Sequence, residues 1–84
     1  MDERRKFIRR RVLKAGTIVF NHGRSTASCT LRNLSDGGAL LRMANAVTVP
    51  QDFVLAFEGK AVVCHAVRRT LSEIGVAFQQ PLSA

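Results

Sequence analysis

Residues 25–32 alternate without a break: Ala27, Cys29 and Leu31 fall on one side, and Thr26, Ser28, Thr30 and Arg32 on the other. Successive side chains of an extended chain point to opposite faces, so the pattern predicts a strand with one buried and one wet face. Ahead of it stands Asn21-His22-Gly23-Arg24, whose Asn and Gly tolerate positive φ, and ahead of that a further β-rich run over residues 14–20. Two runs around such a loop predict a hairpin.

The rest of the chain follows the same grammar. Residues 38–43 and 53–57 are short apolar runs, joined by a segment with Asn45 and Val49-Pro50 that predicts irregular chain. Glu58-Gly59 predicts a tight turn into a strand over Lys60–Arg69. Leu71-Ser72 then leads to a last alternating run over residues 73–79, with Ile74, Val76 and Phe78 on one side. In 84 residues this makes about six strands at near-regular spacing, and there is room for one domain only. Closing them into a small antiparallel barrel removes the edges that an open sheet would have to protect. The expected layout is all-β: a flexible basic N-terminal arm over residues 1–13, a six-stranded barrel over 14–79, and a tail over 80–84 that leaves little or no C-terminal helix.

Charge is placed unevenly. The formal net charge is +7, and residues 1–14 contribute most of it: Arg4, Arg5, Lys6, Arg9, Arg10, Arg11 and Lys14 stand against Asp2 and Glu3. The remaining chain is close to neutral, with six basic and four acidic residues. A nearly neutral body with a cationic arm attracts polyanions, whether phosphate-bearing ligands, nucleic acid or anionic lipid head groups. No apolar run approaches the roughly 18 to 20 residues that cross a bilayer, and Met1-Asp2-Glu3-Arg4-Arg5 opens no signal-type stretch, which points to the cytoplasm. Cys29 and Cys64 lack the spacing of a metal site and are expected as small core residues.

Two motifs carry chemistry. Arg5-Lys6-Phe7-Ile8-Arg9 is an Arg-x-x-x-Arg within the basic run. A guanidinium pairs with phosphate, donates twice to the O6/N7 edge of guanine, or lies flat on a base. Asn33-Leu34-Ser35-Asp36-Gly37-Gly38 follows the best-patterned strand. Its Asn and Ser bond locally to backbone, and its paired glycines permit positive φ or a close approach of backbone to ligand. Alone, the first motif reads as a solvated tail and the second as an ordinary turn.

Together they resemble the PilZ family, whose pattern is Arg-x-x-x-Arg followed, after a spacer, by Asp/Asn-x-Ser-x-x-Gly. Arg5, Arg9, Asn33, Ser35 and Gly38 meet it position by position. Gly38-Ala39-Leu40-Leu41 looks like the strand after the family's loop, and Ile74-Gly75-Val76-Ala77-Phe78 like its closing strand, so the resemblance spans about residues 4–79. It implies a six-stranded barrel that binds cyclic di-GMP on its surface, the arm ordering over the ligand. Arg5 and Arg9 would contact guanine and phosphate, Asn33 and Ser35 a guanine edge. Arg4, Lys6, Arg10, Gly37 and Arg68 are auxiliary candidates, Arg68 standing where the family often carries an aromatic. The resemblance also implies signalling through a protein partner in motility, envelope or polysaccharide synthesis.

No enzyme is expected. His22 and His65 have no acid or thiol beside them in the sequence, and Ser35 lacks the Gly-x-Ser-x-Gly setting of a nucleophile elbow. No metal and no cofactor is implied. The rival readings are a small barrel that binds nucleic acid without sequence specificity, and a PilZ-like protein-interaction domain without ligand. Trp and Tyr are absent and most of the five Phe fall at core-like positions, so the first rival lacks aromatic platforms on which bases stack.

Overall fold

The computed structural model describes residues 10–82. Its strands are β1 (Arg10–Phe20), β2 (Ser25–Leu34), β3 (Gly38–Arg42), β4 (Asp52–Phe57), β5 (Lys60–Arg69) and β6 (Glu73–Phe78). All neighbouring pairs are antiparallel, and they close into a barrel in the order β1-β2-β3-β6-β5-β4. A 3-10 turn, Ala46–Thr48, lies between β3 and β4, in the segment expected to be irregular.

Inward positions of the alternating strands form one core. Ile18 of β1, Leu31 of β2, Leu41 of β3, Leu55 of β4 and Ile74 of β6 are wholly buried. Cys29 and Cys64 are free, buried members of the same cluster, as their isolation in the sequence suggested. Burial pushes the Cys29 thiol up to about 11 and, with the nearby Cys29, the Cys64 thiol up to about 12, so both stay protonated.

Two boundaries differ from expectation and both bear on the site. β1 begins at Arg10, four residues ahead of the expected start, because Arg10 and Arg11 pair with Leu34 and Asn33 at the far end of β2. β2 runs on through Asn33 and Leu34, which the motif placed in a loop; Asn33 faces Arg11 on one side and Leu40 on the other. The chain that turns between β2 and β3 is therefore only Ser35-Asp36-Gly37.

The ladders are regular except in three places. Between β1 and β2 the register slips between Arg11 and Lys14; between β2 and β3 Arg32 is an extra residue; between β5 and β6 Val67 is one. Such bulges bend a strand and re-aim the side chains beside them.

Candidate functional site

The Val67 bulge opens on one cleft, and the Arg32 bulge lies at its edge, next to Asn33. The cleft has a volume of about 490 Å³ and is walled by Asn33 and Ser35 from β2 and its turn, Gly37 and Gly38 leading into β3, Val67 and Arg68 of β5, and Gly75 of β6. Five residues singled out in the sequence, Asn33, Ser35, Gly37, Gly38 and Arg68, thus line a single concavity. Arg4, Arg5, Lys6 and Arg9 lie outside the described residues, and of Arg10 only the backbone pairing with Leu34 is described.

The turn is closed on itself. Ser35 N–H donates to the Gly38 carbonyl at 2.9 Å, and its hydroxyl leans on the same oxygen at 3.3 Å. That long contact leaves the hydroxyl oxygen with its acceptor capacity intact. The turn also holds the C-terminal segment: Phe78 N–H donates to the Gly37 carbonyl and Leu82 N–H to the Asp36 carbonyl, both at 2.9 Å. Leu82 packs against the core, so residues 79–82, which make bends and a turn, are fastened beside the cleft.

At Gly38 the neighbouring strand itself demands a glycine. Gly38 does not take positive φ; instead, a Cβ built on it overlaps the carbonyl oxygen of Val76, the residue beside its ladder partner Ala77. Only a hydrogen fits between β3 and β6 there, so this glycine serves the approach of two protein strands. Gly75 is the residue that leaves room in the cleft. A Cβ there would sit 3.8 Å from Arg68 Cβ and 3.9 Å from Val67 Cγ2, an ordinary contact, so the missing side chain opens the floor beneath Arg68. Sequence reading treated Gly75 as strand only, yet glycine inside a strand is itself a sign of a bulge or a close approach, and here it faces the Val67 bulge.

Arg68 reaches the cleft because of that bulge. Val62, Cys64 and Ala66 turn inward, and strict alternation would send Arg68 in after them. The extra residue leaves both Val67 and Arg68 outside, and Arg69 takes the inward position. There the Arg69 guanidinium donates to the carbonyls of Ala46, Val49 and Pro50, tying the 3-10 turn across the end of the barrel. Adjacent arginines so acquire opposite duties. The one remains exposed at the cleft and the other is consumed by backbone oxygens.

One expectation is corrected. His65 does have an acid partner: its Nδ1 lies 2.7 Å from Asp52 Oδ1, because the β4–β5 register sets the two residues opposite one another. Thirteen residues of chain separate them, which is why adjacency in the sequence missed the pair. Both are exposed, and neither lines the cleft. No group of three or more His, Cys, Asp or Glu side chains positioned to hold a metal occurs among the described residues. No described helix is long and apolar enough to cross a membrane.

The arrangement offers a planar cation, an amide and a hydroxyl around a shallow cavity whose other walls include Leu34, Leu40, Val67, Ala77 and the glycine backbone. That set suits a flat heteroaromatic edge with an anion attached. No curated protein matches the sequence. Among solved structures, the crystal structure of the PilZ domain of CeSA from a cellulose synthesizing bacterium is similar, with a TM-score of 0.63 and 13% sequence identity. The match covers 86% of this chain and 80% of that one, and it shows a shared fold. Residues 3–84 match the family model described as PilZ domain, and a match over nearly the whole length shows that the chain belongs to the PilZ domain family.

Proposed function

We propose that this protein is a receptor for cyclic di-GMP, with the ligand seated in the cleft between the Asn33–Ser35 turn and Arg68. The observation that carries the reading is that Asn33, Ser35 and Arg68, from opposite sides of the barrel order, face one concavity whose floor is opened by Gly75. The Asn33 amide has both donors and an acceptor, and the Ser35 hydroxyl adds acceptor capacity, which together satisfy the mixed donor and acceptor edge of guanine. Arg68 supplies a guanidinium for a phosphate or for the O6/N7 edge. Arg5 and Arg9 complete the site from the arm, with Arg4, Lys6 and Arg10 adding positive charge, and the arm becomes ordered when the ligand's two phosphates neutralise it. Gly37 and Gly38 keep the turn short and the two strands close.

In this reading the protein does no chemistry on the ligand. It acts in the cytoplasm as an adaptor that passes the bound state to a protein partner in motility, envelope or polysaccharide synthesis. The fastening of residues 78–82 to the Asp36 and Gly37 carbonyls puts one end of the barrel chain within reach of any change in the turn.

Titration calorimetry with cyclic di-GMP, GMP and a short single-stranded RNA tests the proposal. Cyclic di-GMP is expected to bind tightest, and Ser35→Ala or Arg5→Ala to weaken it about tenfold, the loss of a charge-assisted or well-placed bond. RNA binding that equals dinucleotide binding, falls steeply with salt and ignores Ser35→Ala would establish the nucleic-acid rival instead.

A further inference from the structure

A second concavity continues the first. It has a volume of about 580 Å³ and shares Asn33 and Leu40 with the cleft described above, so the two are lobes of one groove with Asn33 at the joint. Its walls are Arg11, Val12, Leu13, Arg32 and Glu73. Two of the three bulges make it: the slip between Arg11 and Lys14 turns Leu13 outward to 79% exposure, and Arg32 is the residue left over when β2 pairs with β3. Glu73, the acid of this lobe, is drawn to Arg42 at 3.7 Å. Arg11 and Arg32 therefore face the lobe with no acidic partner among the described residues.

Resting on the reading just proposed, we infer that this second lobe is the subsite for the distal nucleotide unit of the ligand, and that Arg32, with Arg11, makes the protein select a dinucleotide over a mononucleotide. Arg68 stands in one lobe and Arg11 and Arg32 in the other, with the Asn33 amide between them. Two cationic lobes joined at a polar hinge match a ligand built of two purine nucleotides with a phosphate in each half. A single nucleotide can satisfy one lobe only. The apolar walls Val12, Leu13 and Leu40 give the second base a surface to lie on, and the guanidinium of Arg32 gives it a planar donor fork.

The test is calorimetric titration of the whole chain with cyclic di-GMP and with GMP, on the parent and on Arg32→Ala, Arg32→Lys and Arg24→Ala. Arg24 is the control: it removes the same charge from the opposite end of the β1–β2 hairpin, roughly 25 Å away at about 3.3 Å per residue. Arg32→Ala is expected to weaken cyclic di-GMP about tenfold and leave GMP unchanged, with Arg32→Lys recovering part of the loss and Arg24→Ala silent. The inference is overturned if Arg32→Ala weakens both ligands by the same factor or neither. It is likewise overturned if only the number of bound ligands falls while affinity per site is kept. A parent that binds cyclic di-GMP no better than GMP removes the second lobe's role alone, whereas a parent that binds neither removes the receptor reading and this inference with it.

Discussion

The two ends of the β1–β2 hairpin are built from the same strands and obey different rules. From Lys14 to Phe20 the pairing with β2 runs residue for residue, and the turn beyond it puts Asn21, His22 and Gly23 in the left-handed region with bonds back to Phe20 and Asn21. At the other end the register breaks between Arg11 and Lys14, and again at Arg32 against β3. The regular end makes the barrel; the broken end makes the groove. A small barrel must keep its interior filled along every strand, so the places where a strand turns polar side chains outward in succession are places where alternation has been interrupted.

The largest effect expected from breaking this division is at Gly38. Gly38→Val drives a side chain into the Val76 carbonyl, backbone against backbone, and should cost about 3 kcal/mol or more, read as a lowered urea midpoint. Gly75→Ala, at the residue next to Val76 on β6, meets only ordinary contacts and should stay within about 0.5 kcal/mol of the parent while reducing cyclic di-GMP binding. If Gly38→Val folds as stably as the parent, the strand-contact account of that glycine is wrong.

That contrast also shows what could be read in advance. Ala27, Cys29 and Leu31, like Val62, Cys64 and Ala66, declare an inward phase, and the barrel follows from it. The same phase carried forward lands on Asn33 and on Arg68, polar residues where apolar ones belong. This was the available sign of a bulge ahead of each, at Arg32 and Val67. What the alternation could not supply was which elements the bulges would bring together. That depends on β3 pairing with β6 rather than β4, a non-local closure with no local signature. Leu40, Val67 and Gly75 became site residues only through it. The Asp52–His65 pair escaped notice for the same reason.

Next in size is Arg69, the inward partner of the exposed Arg68. Arg69→Met keeps most of the stem and abandons the carbonyls of Ala46, Val49 and Pro50, of which Ala46 and Val49 belong to buried residues. Leaving such acceptors without a charged donor should cost about 1.5 to 3 kcal/mol in denaturant unfolding and leave the cyclic di-GMP affinity of the folded protein unchanged. Arg68→Ala should do the reverse: stability within about 0.5 kcal/mol and an affinity lower by about tenfold. A variant pair in which both properties move together would show that the Val67 bulge does not separate the two arginines' duties.

The smallest effect lies at the regular end and asks how strictly that end follows turn chemistry. Glu58 and Gly59 join β4 to β5 with φ of 50° and 77°, a two-residue hairpin turn with both central residues left-handed, for which Asn-Gly is the favoured pair. Glutamate is an unfavourable occupant of that region, yet its carboxylate accepts a 2.7 Å bond from Lys14 Nζ across the neighbouring strand. That bond, reinforced by the charges of Lys14 and Lys60, holds the Glu58 carboxyl below its usual range. A carboxylate with a depressed folded pKa stabilises the fold above its unfolded pKa, and this contribution disappears as pH falls through the folded value. Glu58→Asn therefore exchanges an ion pair for a better turn at neutral pH, but only gains at a pH acid enough that the parent has already lost the pair. The difference in Tm, variant minus parent, should amount to a few degrees at most and should grow as pH is lowered from 7 to 3. Because the pair is exposed, added salt at pH 7 should move the difference the same way. A difference that stays flat with both pH and salt would mean that Lys14 contributes nothing measurable at this turn, and that glutamate there is explained neither by the ion pair nor by the backbone.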